Sequence, residues 1–106
     1  MHKNNNDALG YYGIYQIFVN GKSYKIGKAD IDRIVKRTND PVRIHQQVRK
    51  LRLKYGRENV YYEIMRWLFG YTTQQAKALE QEILVLVIRQ MGEIPEGNLK
   101  SYKFKV

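Results

Sequence analysis

The first half of the chain alternates between short runs that suit a pleated sheet and one long run that suits a helix. Residues 11–19 crowd Tyr, Ile, Phe and Val into nine positions and predict a strand. Asn20-Gly21 follows, a strong signal for a two-residue hairpin because both residue types accept positive φ. Residues 23–27 then predict the returning strand. In residues 28–39 only Ile31, Ile34 and Val35 fall at helical spacing, which predicts an irregular basic loop with room for one short helical turn. Asp40-Pro41 has the form of a helix start, with Asp at the cap and Pro at the first helical position. Ile44, Val48, Leu51 and Tyr55 recur at helical spacing, and Gly56 supplies the stop. Arg43, Gln47, Lys50 and Lys54 form a separate stripe on that helix.

Residues 59–69 carry Val60, Tyr62, Ile64 and, less cleanly, Arg66 in alternation, and predict a third strand. Thr72-x-x-Gln75 has the form of a capping box for a second helix running to about Gln90 and ending at Gly92. Its second half, residues 83–88, is apolar all round and would suit a buried strand equally well; the cap and the length decide for helix. Residues 94–98 predict a turn, residues 102–106 a short edge strand, and residues 1–9 a polar, flexible lead. The sum is one domain of mixed α/β (α+β) class: a small antiparallel three-stranded sheet flanked by helices.

Composition adds three points. With 106 residues and 43% hydrophobic content, a single modest core is expected rather than disorder. The absence of cysteine removes disulfides, thiolate metal sites and a cysteine nucleophile, and fits a reducing, cytoplasmic setting. The longest apolar run is six residues, against the ~20 needed to span a bilayer, and the polar start offers no signal peptide. Charge changes the picture more. The net charge of +9 sits almost wholly in residues 22–57, where twelve Lys and Arg face three Asp. Such a field attracts polyanions. A solvated helix face is the plainer explanation of charge alone, and a membrane surface is disfavoured because no strongly amphipathic helix accompanies it.

Several common chemistries are excluded. Gly21-Lys22-Ser23 imitates the end of a phosphate-binding loop, but Gln16 stands where its first glycine is required. His2 and His45 are too few and too far apart for a histidine metal cluster, and no Gly-x-Ser-x-Gly elbow exists. What remains is Gly13-Ile14-Tyr15 on the first strand and Lys25-Ile26-Gly27-Lys28-Ala29 on the second. Arg43-Ile44 follows at a helix start, then Ala76-Lys77-Ala78-Leu79-Glu80-x-x-Ile83-Leu84 on the later helix, and Asn98 near the end.

This set resembles the GIY-YIG nuclease family over nearly the whole chain, from Gly13 to about Asn98. Lys25 stands where the family's second tyrosine belongs; Tyr24 comes one position early, and strand alternation would send it to the other face. The resemblance implies a metal-dependent DNA endonuclease with catalytic residues Tyr15, Lys25, Arg43 and Glu80. Glu80 would be the ligand for Mg²⁺ or Mn²⁺. Lys28 and Asn98 would support the site, with Arg33 as rival to Arg43 (Arg37 a distant third) and Glu82 as rival to Glu80.

Elementary chemistry agrees with these residue types. Phosphodiester hydrolysis needs an activated water, neutralised phosphate charge and help for the leaving oxygen. Mg²⁺ keeps several water and substrate oxygens, so one carboxylate suffices as its anchor. Arginine offers a rigid fork of donors to a phosphate. A tyrosine with its ordinary pKa of ~10 is a weak base, and an ammonium such as Lys25 beside Tyr15 would favour the phenolate. DNA binding is expected at Lys22, Arg37, Arg49, Lys50, Arg52 and Lys54. The competing expectation is a catalytically silent nucleic-acid-binding module on the same scaffold. A small RNA- or ribosome-associated protein is suggested by charge only.

Overall fold

The computed structural model describes residues 9–100. The expected polar lead (all but Leu9) and the expected strand at 102–106 lie outside them. Leu9 belongs to the sheet, as the first residue of β1 (Leu9–Val19). The order continues with β2 (Lys22–Asp30), α1 (Val42–Tyr55), a 3-10 turn at Arg57–Asn59, β3 (Val60–Thr72), α2 (Thr73–Met91) and a 3-10 turn at Glu96–Asn98. The sheet is antiparallel with strand order β2-β1-β3. The expected fold class is therefore the observed one. Among the described residues, no helix is long and apolar enough to cross a membrane.

β1 is the central strand and is buried on both faces from Tyr12 to Gln16 and at Ile17. One face carries Tyr15, Ile17 and Val19 against Ile44 and Val48 of α1. The other carries Tyr12 and Ile14 against Ala76, Ile83, Leu84 and Val87 of α2. The sheet is thus the middle layer between two helices, and alternation along β1 sorts its side chains between them. Asn20 and Gly21 take φ of 53° and 79°, as the two-residue hairpin requires. Thr72 caps α2 in a reciprocal capping box with Gln75, and Gly92 ends it with a left-handed φ of 76°. The apolar stretch 83–88 is helix.

Three boundaries and one side-chain orientation differ from expectation, each for a physical reason. β2 runs on to Asp30, because Gly27, Lys28, Ala29 and Asp30 all find partners on β1. Lys28 therefore belongs to the sheet and not to the basic loop. β3 reaches Thr72, pairing as far as Leu9. Asp40 does not cap α1: the cap position is Pro41, with no side-chain cap bond. The Asp40 carboxylate instead accepts the Tyr62 hydroxyl, a long-range partner that local patterning cannot foresee. Burial and Asp40 together push that phenol up to about 12. Finally, the β1–β2 register slips between Ile17 and Phe18. The slip leaves Tyr24 as an extra residue, so its ring joins the α1-side core and meets Tyr55 edge-on at 6.5 Å. The expected opposite-face orientation of Tyr24 is wrong because a bulge interrupts the alternation.

Candidate active site

Tyr15 leaves β1 on the α1 face, opposite Gly27 of β2. A Cβ at Gly27 would lie 2.3 Å from the Tyr15 hydroxyl oxygen and 2.4 Å from its Cζ. The phenol therefore lies across β2 in space that only glycine leaves open. Its hydroxyl donates to Gln47 Oε1 of α1 at 3.2 Å, and the ring is fully buried. Lys25 pairs with Ile17, two residues along β1 from Tyr15, so the hairpin register does put Lys25 and Tyr15 on one face. Lys28 pairs with Ile14 and leaves by the other face, with Nζ 4.7 Å from the centre of the Tyr12 ring. The two lysines thus straddle β2, the edge strand.

The helices bring the remaining charges to that edge. Arg43 stands in the first turn of α1 and Glu80 in the first half of α2. Arg43 and Glu80 act together on Tyr15, on Lys25 and on Lys28, and Lys28, Arg43 and Lys25 act in turn on Glu80. Burial pushes the Tyr15 phenol above its ordinary value; the Gln47 hydrogen bond and the Arg43 charge pull it back, and Glu80 opposes them. Burial holds both lysines below the ordinary lysine range, and Arg43 lowers them further while Glu80 raises them. Burial likewise raises the Glu80 carboxyl, and the Gln81 amide, Lys28, Arg43 and Lys25 draw it down. The result is a half-buried carboxylate and a phenol among three cations. Beside them a cleft of about 240 Å³ is lined by Lys28, Asp30, Arg33, Val42, Arg43 and Gln46. Roomier clefts of about 480 and 430 Å³ lie elsewhere, but neither is lined by any member of this cluster.

One expectation needs correcting. Arg43, from the first turn of α1, is the cation acting on the Tyr15 phenol, by its charge and by a side-chain hydrogen bond, and Lys25 is not.

The other expected residues divide sharply. Arg33 lines the cleft next to Arg43 but is held there through its backbone, its carbonyl accepting the Val42 N–H. Glu82 is exposed on α2, away from the cluster that Glu80 joins. Asn98 is buried, and its amide clips the outer edge of β2. It accepts the Ile26 N–H and donates to the Ile26 carbonyl, both at 2.9 Å. That satisfies backbone groups which an edge strand would otherwise leave open. Of the expected DNA-contacting cations, Lys22 is ion-paired with Glu93 and Arg52 donates to the Val60 carbonyl. Lys54 lies over the Tyr55 ring, while Arg37, Arg49 and Lys50 are exposed.

Gln47 and Lys77 were not among the expected site residues. Gln47 follows Arg43 by four residues, which puts the two on one helical face and was a usable signal. Lys77 acts on Lys28 and precedes Glu80 by three residues. Comparison of the chain with protein-family models, with curated proteins and with solved structures finds no match.

Proposed function

We propose that this chain is a phosphodiesterase of the GIY-YIG type that cuts DNA with the help of a divalent metal ion. The observation that carries the reading is the convergence of Tyr15, Lys25, Lys28, Arg43 and Glu80, contributed by β1, β2, α1 and α2, at one edge of the sheet. Sequence separation of 65 residues between Tyr15 and Glu80 makes this convergence a property of the fold, not of local sequence. Basic side chains cluster commonly; a half-buried carboxylate and a buried phenol among them do not.

Each residue has a chemical part. Lys25 and Lys28 supply charge to hold a phosphate at the β2 edge. Arg43 offers two parallel donors to the oxygens on which charge grows in the transition state. Among the described residues no three His, Cys, Asp or Glu side chains are grouped, and Glu80 would be the protein anchor of a cation. Mg²⁺ or Mn²⁺ fits such a site when phosphate and water complete its coordination. Bound there, it would supply neutralisation of phosphate charge and a more acidic water. Tyr15 in its present setting is a proton donor, bonded to Gln47. To serve as base it exchanges Gln47 for the attacking water, with Arg43 favouring the phenolate.

The test is incubation of supercoiled plasmid with the purified chain, with and without Mg²⁺ or Mn²⁺. Metal-stimulated nicking, lost in Tyr15→Phe and in Glu80→Gln, is the expected result. The full burial of Tyr15 favours a second reading: a nucleic-acid-binding module on the same scaffold that does not cut. Salt-sensitive DNA binding without nicking under any metal would select it.

A further inference from the structure

α1 covers only part of the sheet face on which Tyr15 lies. Its buried residues Ile44 and Val48 pack over Tyr15, Ile17 and Val19, and the next row along β1 begins at Gly13. Gly13 pairs with Trp67, and Tyr11 pairs with Phe69, so these side chains project to the same face as Tyr15. Trp67 is 54% exposed and Phe69 64% exposed. The rings of Tyr11 and Phe69 meet at 4.2 Å between centroids. Among the described residues no element lies over them. The strip starts one strand across and one row on from Tyr15, about 7 Å along the strand.

Its other border is basic. Ile31 packs over Gly13, where a Cβ would lie 2.7 Å from its Cδ1, and its N–H bonds the Tyr11 carbonyl at 2.9 Å. That contact starts the segment carrying Arg33, Lys36 and Arg37, and Arg33 lines the cleft beside Arg43. A protein partner or a second copy would cover such rings equally well, but neither would call for this rim of cations. Rings open to solvent beside a positive edge are the combination that holds a single strand: stacking accepts any base, and cations follow the phosphates. The other exposed ring pair, Phe18 and Tyr61, is on the opposite face, at the hairpin end of the sheet.

We infer that Trp67, Phe69 and Tyr11 form a stacking platform for unpaired bases of a DNA strand whose phosphate enters the cleft lined by Lys28, Arg33 and Arg43. The inference rests on the reading of that cleft as a phosphate site. It narrows the substrate to strands that are single or locally unpaired, because a continuous duplex keeps its base faces stacked on one another.

Trp67 is the only tryptophan in the chain, so its fluorescence reports on the platform alone. Titration in EDTA with oligothymidylate is expected to quench it. An abasic oligonucleotide of equal length, matched in phosphate, is expected to bind by charge without quenching. Trp67→Ala and Phe69→Ala should each weaken oligothymidylate binding on the order of tenfold, read by anisotropy of a labelled strand, and leave abasic binding unchanged. Trp67→Tyr, which keeps a stacking ring, should retain most of the affinity. Equal fluorescence responses to the two oligonucleotides, or binding of oligothymidylate with no response, would overturn the platform. So would a fluorescence change that follows protein concentration without DNA, which assigns the face to a second copy. Quenching by a protein that never cuts keeps the platform and removes the catalytic reading. Nicking without quenching does the reverse.

Discussion

A methyl group added at residue 27 would enter the space held by the Tyr15 phenol. The alanine Cβ would sit 2.3 Å from the hydroxyl oxygen and 2.8 Å from Cε1, where no real Cβ contact survives. The backbone at Gly27 does not occupy the left-handed region, so alanine itself fits and the whole cost falls on the ring. The ring cannot yield easily, being fully buried against Ile44 and Val48. Overpacking of this kind costs about 1–3 kcal/mol. Loss of the Tyr15–Gln47 hydrogen bond adds about 1 kcal/mol. Against this, removing a glycine stiffens the unfolded chain and returns about 0.4–1 kcal/mol. The net destabilisation is roughly 1–3 kcal/mol, and in a domain of this size lowers Tm on the order of 5–20 °C. Thermal melts followed by circular dichroism measure it. Combining Gly27→Ala with Tyr15→Leu should recover at least about 1 kcal/mol relative to the sum of the single changes, because the shorter side chain vacates the clash. Nicking by Gly27→Ala should be lost at temperatures where the protein is still folded. A Gly27→Ala melt that overlays the wild type, or costs that simply add, would refute the claim that Gly27 exists to seat Tyr15.

Glu80→Gln should abolish metal-stimulated nicking while raising stability at neutral pH. Burial lifts the folded carboxyl above its ordinary 4.5, so the ionised form opposes folding; the advantage of Gln shrinks as pH falls through the raised value and is gone once both states are protonated, as urea melts across pH would record. Arg43→Ala should remove turnover far more than DNA binding, whereas Arg33→Ala should mainly weaken binding; single-turnover rates and anisotropy separate the two, and an inactive Arg33→Ala with an active Arg43→Ala would reverse the assignment. Asn98→Ala should destabilise by about 2–4 kcal/mol in urea, since two buried backbone groups of Ile26 lose their partner together. Asn98→Asp keeps an acceptor for the Ile26 N–H but no donor for its carbonyl, and should recover only part of the loss.

The elements of this fold were legible in the sequence wherever the signal is local. Thr72 and Gln75 bond each other across one helical turn, and Asn20-Gly21 needs nothing beyond its own φ angles. The same holds for α1, whose apolar residues recur every turn. Of the site, residue types and order were legible: a tyrosine on the first strand, an arginine starting a helix, a glutamate beside an apolar stripe. What only the tertiary structure decided is which groups meet. Asp40 looks like a cap in isolation, yet Tyr62, 22 residues away, offers its carboxylate a stronger donor. Tyr24 should alternate away from Lys25, yet a one-residue slip against β1 brings its ring to the same side. Lys25 looks like the partner of Tyr15, yet α1 folds over the sheet and sets Arg43 and Gln47 there instead. Asn98 carries no local hint of its place, because its side-chain amide bonds the backbone of Ile26, 72 residues earlier. Local patterning reports the preferences of each segment separately. Hydrogen bonds and charges between segments depend on distances that exist only once helices have packed on both faces of the sheet.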